Sequence, residues 1–179
     1  MIKFDCEIKL IADYFQAKFS ENAQASLKVK SGTKAKVEDD DSWKDLLYKD
    51  EKGIYVPAIQ IKGALINGGK SIKKKPYGSF KDIVKAFLFI EPDRIYIGKQ
   101  EPDFINESFP KRKDGLRVKL LHPAFNKGLT VSFKLNCTSE ELDAKTIKMI
   151  LEKGGLENGI GAWRPEHGRF EVTKFKKVK

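Results

Sequence analysis

The segment GGLENGIGAWRPEHGRFEV, residues 154–172, sets five glycines, one tryptophan, two arginines and one histidine between a helical pattern and a strand pattern. A turn needs one or two glycines. Here Gly155, Gly159, Gly161 and Gly168 let the backbone approach a ligand closely and permit positive φ. Consecutive amides in such a turn can form an anion-binding nest. Arg164 and Arg169 add forked cationic donors suited to phosphate, and Trp163 offers a flat face for a base. Close backbone, fixed charge and an aromatic platform are what a single-stranded nucleic acid requires. The same residues would also serve a long helix-to-strand connection with Trp163 tucked into the core. The GIG triplet is not a dinucleotide-binding fingerprint, because it follows a helix and precedes a strand. His167, next to Glu166, could hydrogen-bond a phosphate or ribose hydroxyl, or exchange a proton near neutral pH. It is a weak candidate for catalysis, and no catalytic residue is assigned.

Further positive charge recurs along the chain: Lys70, Lys73, Lys74 and Lys75 in KSIKKKPYGSF, Lys111, Arg112 and Lys113 in PKRKDG, and the terminal KFKKVK. Each run alone reads as a solvated face; in company with the glycine-rich segment they suggest a shared groove. The formal net charge of +10 favours a polyanionic partner, nucleic acid first and an anionic membrane surface second. The acidic run Glu38 to Asp41, with Asp39 and Asp40 inside it, reads as a solvated face, and His122 as a satisfied structural histidine. Cys6 and Cys137 lie in apolar, strand-like contexts and form no metal-ligand cluster. Neither a metal nor a cofactor is called for. No run is long enough to span a bilayer, and a cytoplasmic protein is expected.

Those residues need elements to hold them. At 179 residues with a 40% hydrophobic share the chain suits one domain, 1–179, with a real core and insertions at about 16–53 and 98–117. Ile2, Phe4, Cys6, Ile8 and Leu10 alternate as in a half-buried strand. Pro57 can open a short buried helix that Asn67 to Gly69 would end. VKAFLFIEPDRIYIGK reads as one strand with its continuation, and LRVKLLHPAFNKGLTVSFKLNC as two paired strands turning at Asn126 and Gly128. Thr138 and Glu141 have capping-box spacing before a helix that Gly154 would end. Phe170, Val172 and Phe175 close the chain as a strand. Stripped of insertions the order is βαββαβ: an α+β, ferredoxin-like or RRM-like antiparallel sheet with helices on one face and a C-terminal glycine-rich loop. The open face is where the RNA-recognition variant binds single strands.

GIGAWRPEHGRF resembles the glycine-rich loop of the repeat-associated mysterious protein (RAMP) superfamily, the CRISPR effector subunits and crRNA-processing proteins. Gly159, Gly161, Arg164, Gly168 and Arg169 occupy matching positions. IYVPAIQIKGAL is similar to the segment that begins the first helix of the effector backbone subunits: Pro57, Lys62, Gly63, Ala64 and Leu65 match. Ala58, Ile59 and Gln60 replace a Gly-Ser-Ser portion, with Gln60 able to keep a donor there, and Ile66 stands where arginine is common. The resemblance implies a non-catalytic, single-stranded RNA-binding (guide-RNA-type) subunit. Such a subunit assembles along RNA as a homo-oligomer or with partner subunits of a ribonucleoprotein, and a thumb-like hairpin falls near residues 98–117. A single-stranded DNA-binding or recombination accessory protein, an endoribonuclease using His167, and a protein-interaction module stay open beside it.

Overall fold

The structure is a computed structural model that describes residues 1–19, 41–74, 76, 78–109, 111, 115, 117 and 119–178. The first strand forms as its alternation demands: β1 (Ile2–Leu10) turns Phe4, Cys6, Ile8 and Leu10 into the core. Burial, with Asp5 adding to it, pushes the Cys6 thiol up to about 12, so it stays protonated. After β2 (Tyr14–Phe15) come a short 3-10 turn (Ser42–Leu46), β3 (Lys49–Asp50) and β4 (Gly53–Pro57). Then follow α1 (Ala58–Ser71), α2 (Lys81–Phe87), β5 (Leu88–Glu91), β6 (Arg94–Tyr96), β7 (Phe104–Ser108), β8 (Leu120–Phe125) and β9 (Thr130–Cys137). The chain closes with α3 (Ala144–Glu157) and β10 (Phe170–Val178).

The main sheet has the order β10-β1-β9-β5, antiparallel throughout. With α1 after β1 and α3 after β9, this is the expected ferredoxin-like arrangement. On β10 a bulge at Thr173, whose hydroxyl donates to the Glu7 carboxylate at 2.8 Å, lets Val172 and Phe175 face the same way. Phe175 then stacks on Phe4 at 4.5 Å.

Four local expectations are corrected. First, Gly68 and Gly69 do not end α1, and Gly154 does not end α3. A Cβ on Gly68 would lie 2.2 Å from the Ile150 carbonyl oxygen, and one on Gly154 2.3 Å from that of Ala64. The glycines sit where the two helices cross backbone on backbone. Second, Asp143 rather than Thr138 caps α3, accepting from the Thr146 amide at 2.7 Å. Thr138 is instead bonded to the Phe87 carbonyl, and Glu141 pairs with Lys74. Third, the VKAFLFIEPDRIYIGK segment splits into the end of α2, β5 of the main sheet, and β6 of another sheet.

Fourth, β8 and β9 are not partners. The central strand β8 belongs to a sheet ordered β2-β8-β7, where Leu121 to Phe125 are all buried. The turn at Gly128 hooks onto the end of β1 through Gly128 N–H to Leu10 O, 2.7 Å, and Leu10 N–H to Leu129 O, 2.9 Å. β7 and β8 pair antiparallel and Lys111 is bridged to Arg117 between them, so among the described residues the second insertion contributes a strand. Among the described residues no helix is long and apolar enough to cross a membrane.

Candidate nucleic-acid interface

Beyond α3 the chain folds back on itself before entering β10. The amide of Ile160 donates to Gly168 O at 2.9 Å, Gly168 to Asp13 O at 2.8 Å, Ala162 to Phe15 O at 2.8 Å, and His167 to Trp163 O at 3.1 Å. Gly168 has φ of 72°, and a Cβ there would lie 1.7 Å from the Ile160 carbonyl oxygen. At Gly161 a Cβ would come within 2.4 Å of Phe15 O and 2.5 Å of the Tyr14 ring. Gly159 packs against Gly168 in the same fold. The close approach that the glycines permit is therefore to the protein's own backbone. Four of the loop's amides are spent internally rather than gathered in a nest.

What the closed loop projects is Trp163 and two arginines. Trp163 holds φ of 56° and is 42% exposed. Its ring meets Phe15 edge-on at 5.8 Å and His122 at 5.2 Å, while His167 stacks on Phe15 at 4.1 Å. Both histidines of the chain thus converge on one aromatic cluster, which the 44 residues between them conceal in the sequence. Arg164 reaches α1: its Nη1 lies 3.9 Å from where a Gly63 Cβ would stand. Arg164 and Arg169 are exposed, and among the described residues neither enters an ion pair. The two segments with RAMP resemblance therefore meet in space.

The polar residues of α1 are engaged otherwise. Gln60 accepts from the Tyr14 hydroxyl at 2.8 Å. Burial raises the Tyr48 hydroxyl above its ordinary value, and the Gln60 amide beside it opposes the rise. Lys62 donates to the carbonyls of Val84, at 2.7 Å, and Leu88, capping the end of α2, and burial lowers its pKa. Lys62 is not turned to the loop. Lys70 stands about 15 Å along α1 from Gln60 at the usual rise per residue. Lys70 and Lys73 are exposed, and Lys74 is paired with Glu141. Lys111 is exposed beside Arg117, between β7 and β8. These lysines flank the site without joining it. Lys75, Arg112, Lys113, Asp39 and Asp40 lie outside the described residues, while Asp41 pairs with Lys44 at 2.7 Å.

His122 departs from its expected satisfied state. It is 6% exposed and its Nδ1 is buried without a hydrogen-bond partner. Burial holds its pKa below 6.5. The unfolded chain then takes up a proton that the folded chain refuses, so stability is full above pH 6.5 and is lost as pH falls below it. His122→Phe is expected to flatten that acid-side loss, read as urea midpoints at about pH 7 and about pH 5. Equal slopes in the two proteins would assign the loss to other groups. His167 makes no hydrogen bond to Glu166, and among the described residues no cluster of three His, Cys, Asp or Glu side chains forms.

Phe15, Tyr14 and His122 are the site residues that sequence reasoning missed. Tyr14 and Phe15 looked like the tail of β1, and their apolar-aromatic pairing just past a strand end was the available signal.

No protein-family model and no curated protein matches the chain. A CRISPR protein from Archaeoglobus fulgidus aligns over 100% of this chain and 62% of its own at 17% identity, but its TM-score of 0.39 carries no argument. A chain in the cryo-EM structure of the type III-B Cmr-beta bound to cognate target RNA aligns with TM-score 0.60 at 15% identity, over 99% of this chain and 61% of that one. The protein therefore spans about three fifths of the length of that neighbour and shares its ferredoxin-like α+β fold.

Proposed function

We propose that this protein is a non-catalytic, RAMP-type subunit that binds single-stranded RNA and works within a ribonucleoprotein, along the RNA or beside partner subunits. The observation that carries the reading is the meeting of Arg164 with α1 at Gly63, next to an exposed Trp163. A guanidinium outside any ion pair then stands beside an exposed aromatic ring, the pair of groups that a phosphate and a neighbouring base would engage. The net charge of +10 and a structural neighbour bound to target RNA support it.

The test is fluorescence anisotropy with labelled RNA and DNA of one sequence across a salt series. Wild-type protein is expected to prefer RNA, with affinity falling steeply as salt rises. Arg164→Glu is expected to weaken binding roughly tenfold and to reduce the log–log salt slope by about 0.7, the share of one single-strand phosphate contact. Binding that ignores the substitution would remove the loop from the interface. A preference for DNA would select the recombination-accessory reading instead.

A further inference from the structure

Strands β3, β4 and β6 form a small antiparallel sheet whose inner face, Ile54, Val56 and Ile95, is buried. Its outer face carries a row of tyrosines. Tyr48 immediately precedes β3, Tyr55 lies on β4, and Tyr96 on β6 stands directly opposite Tyr55. The Tyr55 amide donates to Tyr48 O at 2.9 Å, so the three residues sit abreast. Their ring centroids are 5.8 and 5.9 Å apart. Arg94 lies over the Tyr55 ring at 5.2 Å. Asp50 holds the arrangement, accepting from Arg94 and from the Tyr96 hydroxyl at 2.7 Å each, and from the Lys52 amide at 2.9 Å. Tyr96 is 40% exposed.

We propose that this tyrosine row is a second base-stacking platform for single-stranded RNA, continuing the path from Trp163 and Arg164 past Gln60 onto the small sheet. It rests on the RNA-binding reading above and adds a site to it. Aromatic residues abreast on neighbouring strands of an outer sheet face are what lets a sheet stack two or three unpaired bases. The main sheet offers no such row. Its open face alternates Lys3, Asp5, Glu7 and Lys9 against Lys134, Ser132, Glu171, Lys174 and Lys176, with Phe89 its one aromatic. Its four carboxylates, counting Glu91, nearly balance its five lysines, so it offers neither an aromatic row nor a strong field for phosphate.

The small sheet is also joined to the loop. Tyr48 faces Gln60, Gln60 is bonded to Tyr14, and the Tyr14 ring walls Gly161. Because Asp50 already neutralises Arg94, the platform contributes stacking rather than charge. The hydrogen bond from the Tyr96 hydroxyl, helped by Arg94, holds the Asp50 carboxyl below the usual carboxylate range, so the latch persists at neutral pH.

The test is anisotropy with labelled single-stranded RNAs of increasing length and Tyr96→Ala, Tyr96→Phe and Arg164→Glu proteins. Tyr96→Ala is expected to weaken the longer RNAs about 5- to 20-fold, leaving the shortest RNAs and the salt slope as in wild type. Tyr96→Phe keeps the ring, loses the bond to Asp50, and is expected to bind like wild type. Wild-type affinity in Tyr96→Ala at every length would overturn the platform, as would a Tyr96→Phe defect equal to that of alanine. Loss in Arg164→Glu with indifference to Tyr96→Ala would sink the platform alone. No RNA binding by wild type would sink both readings.

Discussion

Gly154→Val is expected to separate the two long helices and lower stability by about 3 kcal/mol or more, at the upper end of overpacking costs. A Cβ at this position lies 2.3 Å from the Ala64 carbonyl oxygen and 2.7 Å from the carbon that bears it. The obstruction is backbone, so no rotamer change relieves it. α1 and α3 must move apart, which opens voids beside Ile61, Leu65, Ile147, Ile150 and Leu151, all fully buried. Gly68→Ala meets Ile150 O at 2.2 Å and shares the fate. Gly63→Ala supplies the contrast on the same helix. Its Cβ meets only Arg164 Nη1, at 3.9 Å, so helix propensity should govern and stability should rise by about 0.5–1 kcal/mol. Urea unfolding followed by circular dichroism reads all three. Equal effects at Gly63 and Gly68 would show that the helices do not cross at their glycines.

Gly168→Ala is expected to open the loop, costing about 3 kcal/mol and abolishing the arrangement of Trp163 and Arg164 together. Left-handed backbone alone costs a non-glycine residue about 1–2 kcal/mol. The rest comes from the Ile160 carbonyl, 1.7 Å from the new carbon. Relieving that overlap breaks the Ile160–Gly168 and Gly168–Asp13 bonds and pulls buried Ile160 from the core. Hydrogen exchange at the amides of Ile160, Ala162 and Gly168 should speed up well before global unfolding, and Trp163 emission should shift in a Trp43→Phe background. Unchanged exchange at these amides would mean the loop is not closed by its glycines. On the proposed RNA-binding reading, affinity measured on the same protein should fall at least as far as in Arg164→Glu, because Trp163 and Arg164 both lose their support.

The elements that the sequence disclosed are those whose signal is local. β1 and β10 announced themselves by alternation, and α3 by its apolar spacing, because each buries one face against the same core. The βαββαβ order followed from them. The elements it concealed are those decided at a distance. Nothing near Gly68 in the chain says that Gly154 will pass over it, so a glycine pair that allows helix contact looked like a helix stop. β8, buried along nearly its whole length, had no alternation to betray that its partners are β2 and β7 rather than β9. A β-strand carries no label for its neighbour beyond the pattern of its faces.

The candidate site divides in the same way. Composition and spacing by themselves indicated a glycine-rich connection carrying two arginines between the last helix and the last strand, on a basic chain of ferredoxin-like order. Only the tertiary structure decided that the glycines close the loop on itself, that Lys62 caps α2, and that Arg164 reaches α1. It also decided that His122 lies under Trp163 and that three tyrosines stand abreast on a small sheet. The physical reason is range. Backbone preference and hydrophobic period act over a few neighbouring residues, whereas Tyr14, Gln60, Tyr96, His122 and Trp163 come together only when the sheets pack.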